Sequence, residues 1–190
     1  GYGATIILEG SSLQGSIEYA MALAESGDMT FIHPYDDEAV ITGQGTIGLE
    51  ILEDLPDVDA VIAPVGGGGL IAGIATALKE SRPAVRIIGV QASVCPSAVD
   101  ALRAGEPVTI ESEPTVADGI RVTRTGVHTF PVIRDLIEEV VLVDDDEIVS
   151  AILALLERKK VLAEGAGAAP LAALLSGKVP YREGEKIVLV

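Results

Sequence analysis

Val61-Ile62-Ala63-Pro64-Val65-Gly66-Gly67-Gly68-Gly69-Leu70-Ile71-Ala72-Gly73 runs an apolar stretch straight into four consecutive glycines and then into a helix-forming segment. A strand that turns through glycine into a helix leaves successive backbone N–H groups free to curve around one anion. The start of the helix adds partial positive charge at the same point. Two common phosphate motifs do not fit. A dinucleotide fingerprint needs Gly at i, i+2 and i+5, and position 70 is Leu where the Gly68 to Gly73 spacing would require otherwise. A nucleotide P-loop needs Gly-Lys-Ser/Thr after the turn, and Leu70-Ile71 follows instead. A small mono-phosphate held by backbone alone is left, beside the alternative of a tight turn with no ligand.

Outward from that stretch the pattern alternates. Strands are predicted over 4–8, 29–32, 60–64, 85–91, 140–143 and 186–190. Helices are predicted over 11–26, from Asp36 or Asp37 as N-cap to about 53, and over 70–80, 97–103, 127–137, 144–157 and 164–175. The first helix has an apolar face at Ile17, Ala20, Met21 and Leu23, and residues 104–119 read as loop. Strands separated by helices imply a parallel α/β fold, a twisted sheet covered by helices on both faces. The run Asp144-Asp145-Asp146-Glu147 opens a helix and reads as dipole-complementing caps, not as a metal site. His33 reads as a turn residue and His128 as an ordinary helix residue.

Composition narrows the partners. The 190 residues carry 29 Asp plus Glu against 13 Lys plus Arg, a formal charge of −16, so phosphate-rich surfaces of nucleic acid or membrane would repel the chain. Apolar residues make up 48%, enough for a packed core. Cys95 is the single cysteine, which excludes an internal disulfide and a cysteine zinc site. No apolar run reaches the ~18 residues of a membrane span, and no signal peptide opens the chain; cytoplasm is the expected compartment. The chain starts on Gly1 almost within a predicted strand and stops inside another apolar run, so it reads as a piece of a longer protein.

Residues 64–73 resemble the tetraglycine phosphate loop of fold-type II pyridoxal-phosphate enzymes, the threonine dehydratase and serine racemase family, whose fold is that of tryptophan synthase β. So do His33-Pro34-Tyr35-Asp36 with Gly43-Gln44-Gly45-Thr46-Ile47-Gly48-Leu49-Glu50, then Thr115-Val116-Ala117-Asp118-Gly119-Ile120, and Val161-Leu162-Ala163-Glu164-Gly165-Ala166-Gly167-Ala168. Leu174-Leu175-Ser176-Gly177-Lys178 is similar to the catabolic threonine dehydratases in particular. The resemblance implies that residues 1–35 are a remnant of a small domain and 36–190 the C-terminal portion of the large cofactor domain.

It also implies that Gly66, Gly67, Gly68, Gly69 and Leu70 offer N–H groups to the phosphate of pyridoxal 5'-phosphate. Gly119 would lie beside the cofactor and Glu164 would approach its ring, while Asp118 would hold its loop. The family's Schiff-base lysine belongs to an earlier segment, so no catalytic residue is expected in this chain; none of the five lysines, Lys79, Lys159, Lys160, Lys178 and Lys186, stands in a Ser-x-Lys setting. The family's cofactor-contacting asparagine loop is likewise not found, and its pyridine-contacting serine would come just beyond Val190. Serine racemases place metal-binding acids after the strand ending at Gln91, and residues 91–97 here contain none.

The implied activity of a complete enzyme is β-elimination from L-threonine or L-serine, giving 2-oxobutanoate or pyruvate and ammonia, within amino-acid metabolism that includes isoleucine biosynthesis. A homodimer or homotetramer and an amino-acid substrate are the implied partners. A racemase, and a non-catalytic domain that binds a small anion, stay open as alternatives.

Overall fold

In the computed structural model the described residues are 3–10, 12–27 and 29–190; Gly1, Tyr2, Ser11 and Asp28 lie outside them, and with Ser11 the first residue of the first predicted helix. The chain divides into two compact units, Gly1–Pro34 and Tyr35–Val190.

The first unit carries helix α1, Leu13–Ser26, whose N-cap Ser12 accepts from the Gly15 N–H at 3.2 Å. Ser16 ties the helix to the preceding chain by donating to the Glu9 carbonyl at 2.7 Å. Ile17 is buried as its spacing predicts, but Met21 is exposed. Residues 4–8 and 29–32, predicted as strands, form no ladder among the described residues. A strand exists only against a hydrogen-bonded neighbour, and Ile6 and Leu8 are 83% and 91% exposed instead.

The second unit is built on four parallel strands: β1 Ala60–Pro64, β2 Arg86–Ala92, β3 Glu139–Val143 and β4 Ile187–Leu189, in the order β3-β2-β1-β4. Successive residues of β1 point to opposite faces, and both faces are buried. Ala60 and Ile62 join one cluster, with Ile88 and Val90 of β2; Val61 and Ala63 join another, with Ile87. Each fully buried isoleucine contributes about 2 kcal/mol.

Six helices cover the two faces: α2 Glu38–Asp54, α3 Gly69–Ser81, α4 Ser97–Ala104 and α5 Thr129–Leu136 contribute to the second cluster, and α6 Asp145–Ala154 and α7 Gly165–Leu175 to the first. Asp37, one of the two predicted caps, closes the start of α2 by accepting from Ala39 N and Val40 N. The acidic run forms a capping box on α6: Asp144 accepts from Glu147 N and Glu147 from Asp144 N, each at 2.9 Å. That helix stops at Ala154 rather than 157, widening into a π-turn over Leu155–Lys159 that ends on Lys160 at φ 60°. No helix of the described residues is long and apolar enough to cross a membrane.

Strand order decides where a ligand can enter. From β1 the chain steps through α3 to β2 and on to β3, then returns past α6 and α7 to place β4 on the other side of β1. The order therefore reverses between β1 and β4, with helices leaving to opposite faces. Such a switch point opens a crevice beyond the carboxyl ends of the strands, and the four glycines follow Pro64 at that end of β1.

Candidate functional site

The glycine loop joins β1 to α3. Val65 continues the sheet, its N–H donating to the Val90 carbonyl at 2.8 Å. From there the pairing stops: among the described residues, the N–H groups of Gly66, Gly67, Gly68, Gly69 and Leu70 donate to no protein acceptor. Gly68 takes φ +100°, a left-handed turn that an L side chain resists, and α3 begins at the next residue. Five unpaired donors on one turn, backed by a helix start, are groups of the kind that can take an anion.

The loop is boxed in by its neighbours. A methyl group at Gly67 would overlap the Tyr35 ring, and one at Gly69 would stand 2.8 Å from the Tyr35 carbonyl oxygen. Bare positions are needed there because another part of the chain already fills the space. Burial pushes the Tyr35 phenol above its ordinary value, Asp36 adds to the effect and Arg124 opposes it. The ring beside the loop thus stays neutral.

Gly119 borders the same loop, and Glu164 borders Gly119. A methyl group at Gly66 would lie 3.4 Å from Ile120 Cα and 3.6 Å from the Gly119 carbonyl. One at Gly119 would lie 3.3 Å from Glu164 Oε1 and 3.2 Å from Ala166 Cβ. Gly119 and Glu164 are both exposed, while residues 67–69 are buried. The structure therefore brings together all seven residues selected from the sequence. Gly165 permits the approach: a methyl group there would overlap the Val116 carbonyl.

Asp118 does not hold this loop. Its carboxylate accepts no hydrogen bond among the described residues, and Asp145 does the holding, accepting from Thr115 Oγ1 at 2.5 Å and from Val116 N at 3.3 Å. Other supports also escape a sequence reading. Gln91 is fully buried and donates to Val65 O and Ser97 Oγ, both at 3.2 Å, while accepting from Ala98 N at 2.9 Å. The Cys95 thiol donates to Val122 O at 3.4 Å, and Val122 in turn packs on Gly66. A glutamine and a cysteine in an apolar strand context carry no local signal of such roles; only the buried polar character of Gln91 hints at one. His128 sits at the N-cap of α5 and is exposed, and His33 stands edge-on to Phe31 at 5.9 Å.

Four of the five lysines are engaged elsewhere. Lys79 donates to Pro83 O, Lys160 to Glu157 O, Lys178 to Glu147, and Lys186 to Asp57. The donor set at residues 66–70 suits a phosphate dianion bound by backbone.

The model of the pyridoxal-phosphate dependent enzyme family matches residues 1–190. An L-threonine ammonia-lyase of Geobacter sulfurreducens is 51% identical over 189 residues, which are 100% of this chain and 47% of that protein. Among solved structures, a T.th. threonine deaminase superposes with a TM-score of 0.90 at 37% identity, covering 99% of this chain and 63% of that one. Maize serine racemase gives 0.91 at 37% identity, covering 98% and 58%. The chain spans about half the length of the curated relatives it matches. With a parallel sheet, a glycine loop at its switch point and a family match along its whole length, the chain belongs to the pyridoxal-phosphate dependent enzymes.

Proposed function

We propose that this chain forms the phosphate-holding part of an enzyme that removes ammonia from L-threonine, and from L-serine, to give 2-oxobutanoate and pyruvate. The observation that carries the reading is the set of unpaired N–H groups on Gly66, Gly67, Gly68, Gly69 and Leu70. The 51% identity to an L-threonine ammonia-lyase supports the choice of reaction. In this reading residues 1–35 belong to the small domain and 36–190 to the large one, and the protein works in the cytoplasm as a dimer or tetramer.

Pyridoxal phosphate, when bound, supplies an electron sink for the substrate's α-carbon. The residues of this chain bind and orient. The five N–H groups would hold the phosphate, and Gly119 would stand beside the cofactor without a side chain. Glu164 would approach the ring, and the neutral Tyr35 ring packs against the loop. None of them moves the α-proton, a task that the family resemblance gives to a lysine on another segment.

A racemase reading has the likeness to maize serine racemase in its favour. Against it, residues 91–97 offer no carboxylate, and Gln91 is committed to the sheet and to α4. The test is to supply the full-length protein with cofactor and then L-threonine or L-serine. Equal amounts of 2-oxobutanoate and ammonia support the lyase. Formation of D-serine with no 2-oxo acid would sink it.

A further inference from the structure

The carbonyl of Gly67 is held from a distant part of the chain. Thr129 Oγ1 donates to it at 2.7 Å and the Gly126 N–H at 3.1 Å. Thr129 is fully buried, so this is an interior contact shielded from water. Because the peptide unit is planar and trans, the Gly67 carbonyl and the Gly68 N–H point in opposite directions. Donors that fix the carbonyl therefore also fix the line along which the Gly68 N–H leaves the loop.

The turn that supplies both donors has its own anchor. Asp36 Oδ2 accepts from Val127 N at 2.8 Å, and Oδ1 accepts from His128 N at 2.8 Å and from Thr129 N at 3.3 Å. A methyl group on Gly126 would overlap this carboxylate. Two helix starts thus meet opposite fates: that of α5 is taken by an internal carboxylate, and that of α3 is left to an external anion. The three N–H groups also offset the charge of Asp36, which would otherwise oppose a phosphate.

We infer that Asp36 and Thr129 are positioning residues for the cradle: Asp36 sets the turn over residues 126–129, and Thr129 transmits that setting to Gly67, aiming the Gly68 N–H at the phosphate. The inference rests on the reading of residues 66–70 as a phosphate site.

The experiment uses full-length apo-protein and compares wild type, Thr129→Val, Thr129→Ser and Asp36→Asn. Three dissociation constants are measured: for pyridoxal phosphate, for inorganic phosphate as its competitor, and for pyridoxal, which lacks the phosphate. Thr129→Val keeps the shape and removes the hydroxyl. It is expected to weaken pyridoxal phosphate and inorganic phosphate by roughly tenfold, with pyridoxal unchanged. Thr129→Ser restores the wild-type values, and Asp36→Asn weakens both phosphate ligands. A folded Thr129→Val protein that binds all three as wild type does overturns the inference, as does equal weakening of pyridoxal. Should Thr129→Val fail to fold, Asp36→Asn decides in the same way: selective weakening of the phosphate ligands upholds the inference and its absence overturns it. Wild type that binds the cofactor without competition from inorganic phosphate overturns the phosphate reading itself, and this inference with it.

Discussion

The side-chain oxygen of Gln91 accepts the Ala98 N–H at 2.9 Å, so that one buried amide on β2 caps the start of α4. The same group reaches Val99 N and, through its nitrogen, Val65 O just ahead of the glycine loop. Gln91→Leu would keep the volume and strand the Ala98 and Val99 donors without a partner. A loss of about 2–3 kcal/mol in urea unfolding is expected, and a loss below about 0.5 kcal/mol would remove Gln91 from this role.

Gly43 and Gly73 provide an opposed pair. A methyl group on Gly73 would overlap the Ile41 carbonyl oxygen and stand 2.7 Å from Gly45 N, where α2 and α3 touch backbone to backbone. Gly73→Ala must separate the helices and is expected to cost about 3 kcal/mol or more. Gly43 lies on α2 with nothing within 4 Å of the same methyl position. Gly43→Ala is expected to raise stability by about 0.5–1 kcal/mol. Thermal midpoints moving in the same direction for both variants would contradict the packing.

Glu185 gives a pH signature. It accepts the Arg182 N–H at 2.9 Å and pairs with Arg86 at 2.6 Å, and those two bonds, in that order, hold its carboxyl below the usual value. Its contribution is present above the ordinary glutamate value of 4.5 and is lost as pH falls through the lowered folded value. The stability gap between wild type and Glu185→Gln is thus expected to be constant near neutrality and to close below about pH 4.5. A gap that widens in acid would show the sign to be wrong.

Cys95 is expected to be inert. Burial pushes its thiol above the ordinary value, and its hydrogen goes to the Val122 carbonyl. A thiol reagent at neutral pH should react only as fast as the protein opens, speeding up sharply across the urea transition. Fast labelling of the folded protein would place the thiol at the surface.

Much of the fold was readable because both signals it rests on are local. The apolar runs over 60–64 and 85–91 carry their own length and boundaries, and the ends of the observed strands lie within a residue of them. Residues 4–8 and 29–32 carried the same signal and form no ladder among the described residues, since apolar β-formers specify a strand only when an edge is there to pair with. A cap at Asp36 or Asp37 was legible, and Asp37 takes it; Asp36 serves a helix more than ninety residues on, and no window of sequence holds both partners.

The amino-acid sequence by itself determined that a strand would turn through glycine into a helix, because the apolar run over 60–64 ends on four residues without side chains and a helix-forming segment follows them. Tertiary structure alone decided which way the amides of that loop face. Tyr35 and Thr129 reach the loop across long separations, Gln91 holds Val65 just ahead of it, and Asp36 holds the turn that carries Thr129. The direction of an N–H is set by what holds the carbonyl behind it, and that partner is chosen by packing.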